Sequence, residues 1–306
     1  MKIISSLQES LDAEKPIIAT LGNYDGVHLG HQAILKKVTG LAHKEHGKSL
    51  VITFKNHPSS ILNPSLPSLQ ICSFDHKIHL LEQAGIDLVV VLEFTREFAK
   101  QTPEEFLQKM LLAIPFKNLI LGHDAVLGKG RTGNQAEIER LSQKLNFTVE
   151  YLPQLTMEDI IVSSSKIRQY LQQGDLLFVE KLLGRKFSMY GKVISGMKKG
   201  RVIGFPTLNF ATKGLCLPPL GVYAVKVKSE SELLLGVANL GVAPTVREDS
   251  EPLLEVHLLD CKEDLEGESL EVIFHQYIRP ELKFPSLEAL KEQIARDVGT
   301  AKNLFQ

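Results

Sequence analysis

Two histidines, His28 and His31, form an H-x-G-H pattern inside the stretch Leu21-Gly22-Asn23-Tyr24-Asp25-Gly26-Val27-His28-Leu29-Gly30-His31. Imidazoles set on one side of a turn can donate to phosphoryl oxygens that carry charge in a transition state. The apolar run from Pro16 to Leu21 reads as a buried strand, and Gln32 to Leu41 reads as a helix. Strand, glycine turn and helix together bring backbone N–H groups and a positive helix end up to a phosphate. Gly30, between the histidines, keeps side-chain bulk away from the ligand. The plainer alternative is a structural turn with two incidental histidines.

Five other groups of residues point to the same kind of chemistry. His57, in Thr53-Phe54-Lys55-Asn56-His57-Pro58, follows the second strand and so stands at the sheet edge that carries His28 and His31, unless it is only a loop histidine. Gly122-His123-Asp124-Ala125-Val126-Leu127-Gly128 is a glycine-rich loop whose acid, Asp124, can accept from hydroxyls or amines. Ser163, Ser164 and Ser165 precede a helical stretch, and Arg168 follows three and four positions on. Hydroxyls, helix dipole and guanidinium then make a second anion site; ordinary capping with a solvated arginine is the alternative. In the second half, Gly196, Gly200 and Gly204 lie among Lys198, Lys199 and Arg201, which suits a loop folded over phosphates or, more plainly, a basic hairpin. Thr207 and Asn209 follow on alternate positions, so both oxygens can face one Mg²⁺. Glu255 sits in the apolar run Leu253–Leu259, on one face with Leu253, His257 and Leu259, as a placed carboxylate or half of a solvated pair.

At these residues a family resemblance appears. G-N-Y-D-G-V-H-L-G-H is similar to the signature of the HxGH nucleotidyltransferases, and most resembles the prokaryotic bifunctional riboflavin kinase/FAD synthetases. The resemblance implies ATP contacts at Gly22, Asn23, Asp25, His28, Gly30, His31 and Asp124. It adds Ser163, Ser164, Ser165 and Arg168, since I-S-S-T/S-x-I-R is matched apart from Val162. It implies flavin contacts at His57, Pro58 and Asp124. Two departures stand out: Asn56 where the family has proline, and Ala125 and Leu127 where a D-F-x-F-G pattern has aromatics.

The second half resembles the flavokinases through G-x-x-x-G-F-P-T-x-N, with Leu208 in place of the usual alanine. This implies kinase ATP contacts at Gly196, Lys199, Gly200, Gly204, Pro206, Thr207 and Asn209, with Thr207 and Asn209 as ligands of Mg²⁺. It implies Glu255 as the base toward the ribityl 5′-hydroxyl, and Arg279, in Arg279-Pro280-Glu281, as a flavin contact. Asn239 to Thr245 resembles another family turn, with a loop role. The implied activities are ATP + riboflavin to FMN + ADP, then ATP + FMN to FAD + diphosphate. The rival readings are a riboflavin kinase with a weak or altered adenylyltransferase half, and a flavin-binding protein that has lost catalysis.

These residues need two different frames. Residues 16 to 155 alternate strand candidates (17–21, 50–54, 88–92, 118–121, 148–151) with helix candidates (around 31–46, 75–84, 103–113, 134–145). Runs such as Leu88-Val89-Val90-Val91-Leu92 lack polar alternation, as in strands covered on both faces. The expected fold is a doubly wound parallel α/β domain, with ligands beyond the carboxyl ends of its strands. Helices over 166–173 and 176–183 close it. From 187 the texture changes to short strands (187–195, 221–228, 233–239, 253–259, 269–277) and a helix from Ser286 to about Lys302, read as a small antiparallel β-barrel with a terminal helix. The expected domains are residues 1–184 and 185–306.

Composition sets bounds on function. The 306 residues carry a formal charge of −1, and the two halves about −1 and 0, so neither has the basic excess of a nucleic-acid binder. No apolar run is long enough to span a bilayer, and MKIISSLQESLDAEK has no secretory apolar core, since charges arrive by Glu9 and Asp12. Cys72, Cys216 and Cys261 are odd in number and far apart, as buried small hydrophobes rather than a disulfide framework. A cytoplasmic enzyme acting on riboflavin, FMN and ATP, with no nucleic-acid or membrane partner, is the expectation; protein partners and oligomeric state are left open.

Overall fold

The computed structural model describes residues 1–5, 15–65, 68–196, 200, 203–229, 232–242, 251–259 and 265–306. They form two compact units, Met1–Ser68 with Lys77–Ser164, and Leu69–His76 with Ser165–Gln306. Helices later than Ser164 therefore belong with the second unit.

In the first unit, β1 (Lys2–Ile4), β2 (Ile17–Leu21), β3 (Lys48–Phe54), β4 (Leu88–Leu92), β5 (Asn118–Gly122) and β6 (Thr148–Leu152) make one parallel sheet in the order β1-β4-β3-β2-β5-β6. In β2 to β5 side chains on both faces are mostly buried, which is why those strands read as apolar runs, whereas the edge strands β1 and β6 are largely exposed or half-buried. On one face Ile17, Ala19, Leu50 and Ile52 pack with Phe106, Leu107 and Met110 of α4 (Pro103–Ala113) and Ile138 and Leu141 of α5 (Gln135–Leu145). On the other, Ile18 and Ile120 meet Ile34 and Val38 of α1 (Leu29–Lys44), and Val51 and Val89 meet Leu80 and Leu81 of α3 (Phe74–Gln83). Each fully buried aliphatic side chain here contributes about 1.5–3 kcal/mol. The chain steps from β2 outward to β3 and β4, then restarts at β5 on the other side of β2. The turn after β2 thus lies at the switch point, where doubly wound sheets bind ligands.

Every strand and helix expected in this half is present within two residues of its expected ends. Three short features were not expected: β1, the five-residue α2 (Pro58–Leu62), and the hairpin of β7 (Thr156–Met157) and β8 (Ile160–Ile161). Each is too short to display a period. Next come α6 (Ser164–Gln173) and α7 (Leu176–Leu183); α6 begins two residues before the expected Lys166, so Ser164 and Ser165 lie in its first turn.

The second unit holds β9 (Ser188–Lys192), β10 (Leu208–Ala211), β11 (Gly221–Lys228), β12 (Leu233–Gly241), β13 (Leu253–Leu258) and β14 (Ser269–Arg279), an antiparallel sheet in the order β10-β13-β12-β11-β14-β9. Its two edges meet where the Ile194 N–H donates to the Asn209 carbonyl at 2.9 Å, nearly closing the expected barrel. Tyr223 and Phe274, both buried, meet edge to face with centroids 5.1 Å apart. Val222, Ala224, Val237 and Leu259 pack with Ala301 and Val298 of the C-terminal helix α8 (Leu287–Leu304), capped by Ser286. Strand β10 was not expected, because Asn209 interrupts its apolar residues, and β9 ends at Lys192 rather than 195. Asn239, Leu240 and Gly241, expected in a turn, are the last residues of β12, while Ala243, Pro244 and Thr245 lie outside the described residues. Cys72 and Cys216 are buried, as expected; Cys261 lies outside the described residues. Among the described residues no helix is long and apolar enough to cross a membrane.

Candidate active sites

The first site is built on the turn between β2 and α1. His28 is the N-cap of α1, and its Nδ1 accepts from the His31 backbone N–H at 3.3 Å. That bond leaves the proton of a neutral His28 on Nε2. The His31 ring stacks on His28 with centroids 3.6 Å apart and planes 15° from parallel. Burial first, then the nearby His28 and Lys77, push the His31 pKa well below the ordinary 6.5, so this imidazole is neutral at physiological pH. Its Nδ1 is buried with no hydrogen-bond partner among the described residues. Such an atom calls for a ligand or water.

The turn itself is tightly wound. Tyr24 (φ 52°), Gly26 (φ 77°) and Val27 (φ 38°) all take the left-handed region, which is costly for β-branched Val27. Tyr24 is held by a 2.6 Å bond between its hydroxyl and Thr20, and its ring lies 5.0 Å from that of His31. A Cβ on Gly30 would meet Cε1 and Nδ1 of His28 at 3.2 Å, so this glycine makes room for the histidine ring. Asp25 is buried, and its carbonyl accepts from the Ser164 hydroxyl at 3.0 Å. Ser164 therefore secures the turn rather than capping its own helix. Ser165 and Arg168 share the first turns of α6, with Nη2 of Arg168 3.5 Å from the Ser165 hydroxyl.

Lys77 was not singled out from sequence. Its side chain is buried, and Nζ donates to the carbonyls of Phe54 at 2.7 Å and Asn23 at 3.1 Å. Asn23 O also accepts from Thr53 at 3.3 Å. An ammonium thus joins the end of β3 to the anchor turn and adds positive charge beside the histidines. A lysine in Phe74-Asp75-His76-Lys77 carries no sign of this, since lysines on amphipathic helices ordinarily face water.

His57 caps α2: its Nδ1 accepts from the Ser59 N–H at 3.1 Å and the Ser59 hydroxyl at 2.6 Å. Pro58 is the first residue of that helix. Asn56, the departure before it, pairs with the backbone of Phe94. Asp124 is exposed, and Leu127 is buried in the core with Ala125 packed against it.

The second site lies along one row of the barrel. Asn209 opposes Glu255, Glu255 opposes Asn239, Asn239 opposes Val222, and Val222 opposes Arg279. Directly opposed residues share a face, with Cβ atoms about 4.5–5.5 Å apart. Glu255 is thereby flanked by two asparagines on the face that carries Val222 under α8. His257 Nδ1–H donates to the Pro206 carbonyl at 2.8 Å, and its ring meets Phe205 at 5.3 Å, which fixes the Gly204–Asn209 segment to β13. Phe205 N–H donates to Gly200 O at 2.9 Å. Asn209 is buried and packs directly against Gly196, where no Cβ would fit. Asn209 opposes Glu255 on β13 and Thr207 stands two positions before Asn209, so the residue types here, neutral oxygens and a carboxylate, are of the hard kind that suits Mg²⁺ with phosphate and water. Lys199 lies outside the described residues, as do Met197, Lys198, Arg201 and Val202.

Arg279 is paired with the C-terminal helix. Its Nε and Nη2 fork onto Asp297 of α8 at 2.9 and 2.7 Å, and Nη1 donates to the Pro280 carbonyl at 2.9 Å. Gln293 also donates to Asp297 at 2.9 Å.

Comparison with known proteins matches the FAD synthetase family over residues 10–166 and the riboflavin kinase family over residues 183–305. A bifunctional riboflavin kinase/FMN adenylyltransferase of Haemophilus influenzae is 38% identical over 100% of the chain and 99% of the relative. Relatives of the same description from Escherichia coli K12 (34%; 100% and 98% covered) and Listeria monocytogenes (33%; 94% and 92%) are similar over comparable lengths. A crystal structure described as a macrolide-efflux protein from Streptococcus pneumoniae superposes with a TM-score of 0.81 at 27% identity, covering 99% of this chain and 98% of that one.

Proposed function

The chain belongs to the family of bifunctional riboflavin kinase/FMN adenylyltransferases, and from that premise we propose how its residues divide the two reactions. Residues 185–306 transfer the γ-phosphoryl group of ATP to riboflavin, giving FMN and ADP. Residues 1–184 transfer the adenylyl group of a second ATP to FMN, giving FAD and diphosphate.

In the kinase reaction Glu255 accepts the proton of the ribityl 5′-hydroxyl as its oxygen attacks the γ-phosphorus, and ADP leaves. Gly196, Lys199, Gly200, Gly204 and Pro206 form the loop over the ATP phosphates. Thr207 and Asn209 hold Mg²⁺, which neutralises phosphate charge when bound. Arg279 shapes the flavin side by holding the end of β14 against α8 through Asp297.

In the adenylyl transfer an oxygen of the FMN phosphate attacks the α-phosphorus of ATP, and the bond to the β-phosphate breaks. The Nε2–H of His28, together with His31, donates to the α-phosphate oxygens as charge builds there. Gly22, Asn23, Asp25 and Gly30 shape the turn around them; Ser163, Ser164, Ser165 and Arg168 supply further nucleotide contacts; His57, Pro58 and Asp124 face the acceptor. No protein nucleophile is needed. The observation that carries this reading is the stacked pair, with a neutral His31 whose buried Nδ1 lacks a hydrogen-bond partner among the described residues. A cytoplasmic location is proposed, with riboflavin, FMN and ATP as the partners.

The test is to supply purified protein with FMN and Mg-ATP. Equal amounts of FAD and diphosphate are expected. Unchanged FMN, alongside active riboflavin phosphorylation, would leave a kinase with an altered acceptor half, the alternative that Ala125 and Leu127 motivate.

A further inference from the structure

The loop after β5 lacks aromatic residues, yet the carboxyl edge of the same sheet carries several. Phe54 ends β3, and Phe94 and Phe98 follow β4. Their rings meet in a triangle: Phe54–Phe94 at 5.4 Å, Phe54–Phe98 at 5.5 Å and Phe94–Phe98 at 5.3 Å, with Phe106 backing Phe98 at 5.6 Å. Phe54 is buried, whereas Phe94 and Phe98 are half-buried. They pack on the core face that Ala125 also joins. Ala125, on the loop after β5, is partly buried against the same cluster as Phe94 and Phe98.

Asn56 sets the position of this pair. Its Nδ2 donates to the Phe94 carbonyl at 2.8 Å, and the Phe94 N–H donates to its Oδ1 at 2.9 Å. The Lys55 N–H donates to the Leu92 carbonyl at 2.8 Å just before. The side-chain amide thus continues the pairing of β3 with β4 one step beyond the strands, as a peptide group would. Neither a proline nor an apolar residue can make both bonds. The residue that follows, His57, is the cap of α2. One amide therefore fixes both the His57 loop and the Phe94 segment.

We infer that Phe94 and Phe98 form the wall against which the flavin ring of FMN packs during adenylyl transfer, with Asn56 as the positioning residue that holds this wall in place. The inference rests on the reading that residues 1–184 adenylylate FMN. An electron-poor tricyclic ring over phenyl faces gains offset-stacked or edge contacts beyond simple burial. The ribityl phosphate then extends along the sheet edge toward the β2–α1 turn. Asn56 and the aliphatics at 125 and 127 belong together: the surface absent from one loop is supplied by another, and the amide is what braces it.

The test uses full-length protein carrying Asn56→Ala, Phe94→Leu or Phe94→Tyr, assayed for adenylyl transfer at varied FMN and varied ATP, and for riboflavin phosphorylation. Asn56→Ala and Phe94→Leu are expected to raise the KM for FMN on the order of tenfold, the loss of about 1.4 kcal/mol. The KM for ATP, which reports a folded first unit, and riboflavin phosphorylation should stay near wild type. Phe94→Tyr, which keeps the ring, should retain the wild-type KM for FMN. Unaltered KM for FMN in both Asn56→Ala and Phe94→Leu, with wild-type FAD formation, would overturn the wall. A wild-type protein that forms no FAD would instead defeat the adenylyltransferase reading, and the wall falls with it. Equal rises in the KM for FMN and ATP, not rescued by Phe94→Tyr, would reduce Asn56 to a structural role and also contradict the inference.

Discussion

The backbone N–H of His31 donates to Nδ1 of His28 at 3.3 Å while the two rings stack at 3.6 Å, so each histidine fixes the other. The bond sets the proton of a neutral His28 on Nε2, and burial first, then the nearby His28 and Lys77, keeps His31 neutral. Replacing either by alanine is expected to lower FAD formation from FMN about 10²–10³-fold, with riboflavin phosphorylation retained. Assaying both reactions on the same preparation checks this.

The state of His31 also sets a pH dependence of stability. Its native pKa lies below the ordinary 6.5, so the unfolded chain binds the proton more readily. The stability it contributes is fully present above pH 6.5 and is lost as pH falls from there toward the lowered native value. The Tm of the first unit should therefore drop on acidification below 6.5, and less steeply in His31→Gln. Thermal melts across that window read the difference.

Lys77 makes a second prediction. Lys77→Met removes the donor to Phe54 O and Asn23 O, and a buried carbonyl left unpaired costs about 1–3 kcal/mol. The anchor turn loses its tie to β3, so FAD formation should fall more than the stability loss alone explains, while the kinase reaction persists. Denaturant melts together with both assays separate the two effects.

In the second unit the ion pair of Arg279 with Asp297 is mostly shielded from solvent, with side chains 16% and 4% exposed. Asp297→Ala leaves the guanidinium uncompensated and is expected to destabilise by about 3–5 kcal/mol, with a raised KM for riboflavin as α8 loosens. The double replacement Arg279→Met with Asp297→Leu should recover much of the stability but not the KM. Chemical denaturation and riboflavin titration test the pair.

The parts of this molecule that were legible in the sequence are those with one dominant local cause. Strands buried on both faces write apolar runs, and β2 to β5 were read from those; α4, expected over 103–113, opens with a capping box of Thr102 and Glu105. Short or polar elements, β1 and β10, have no such signature. Side-chain partners were the least legible. Lys77 looks like a solvent-facing helix residue, and only its tertiary neighbours bury it. Asn56 looked like the loss of a proline, yet its amide gains two backbone bonds. Nothing near Arg279 in the sequence points to its partner, Asp297 on α8. Asn239 looked like a turn residue, and the strand register sets it beside Glu255.

The division of labour is tested most directly by a time course from riboflavin and Mg-ATP, separating riboflavin, FMN and FAD, in wild type, His31→Ala and Glu255→Gln. Wild type should pass through FMN to FAD. His31→Ala should stop with FMN accumulated, and Glu255→Gln should leave riboflavin almost unphosphorylated but convert added FMN to FAD at the wild-type rate. FAD formed at the wild-type rate by His31→Ala, or FMN formed at the wild-type rate by Glu255→Gln, would contradict the account.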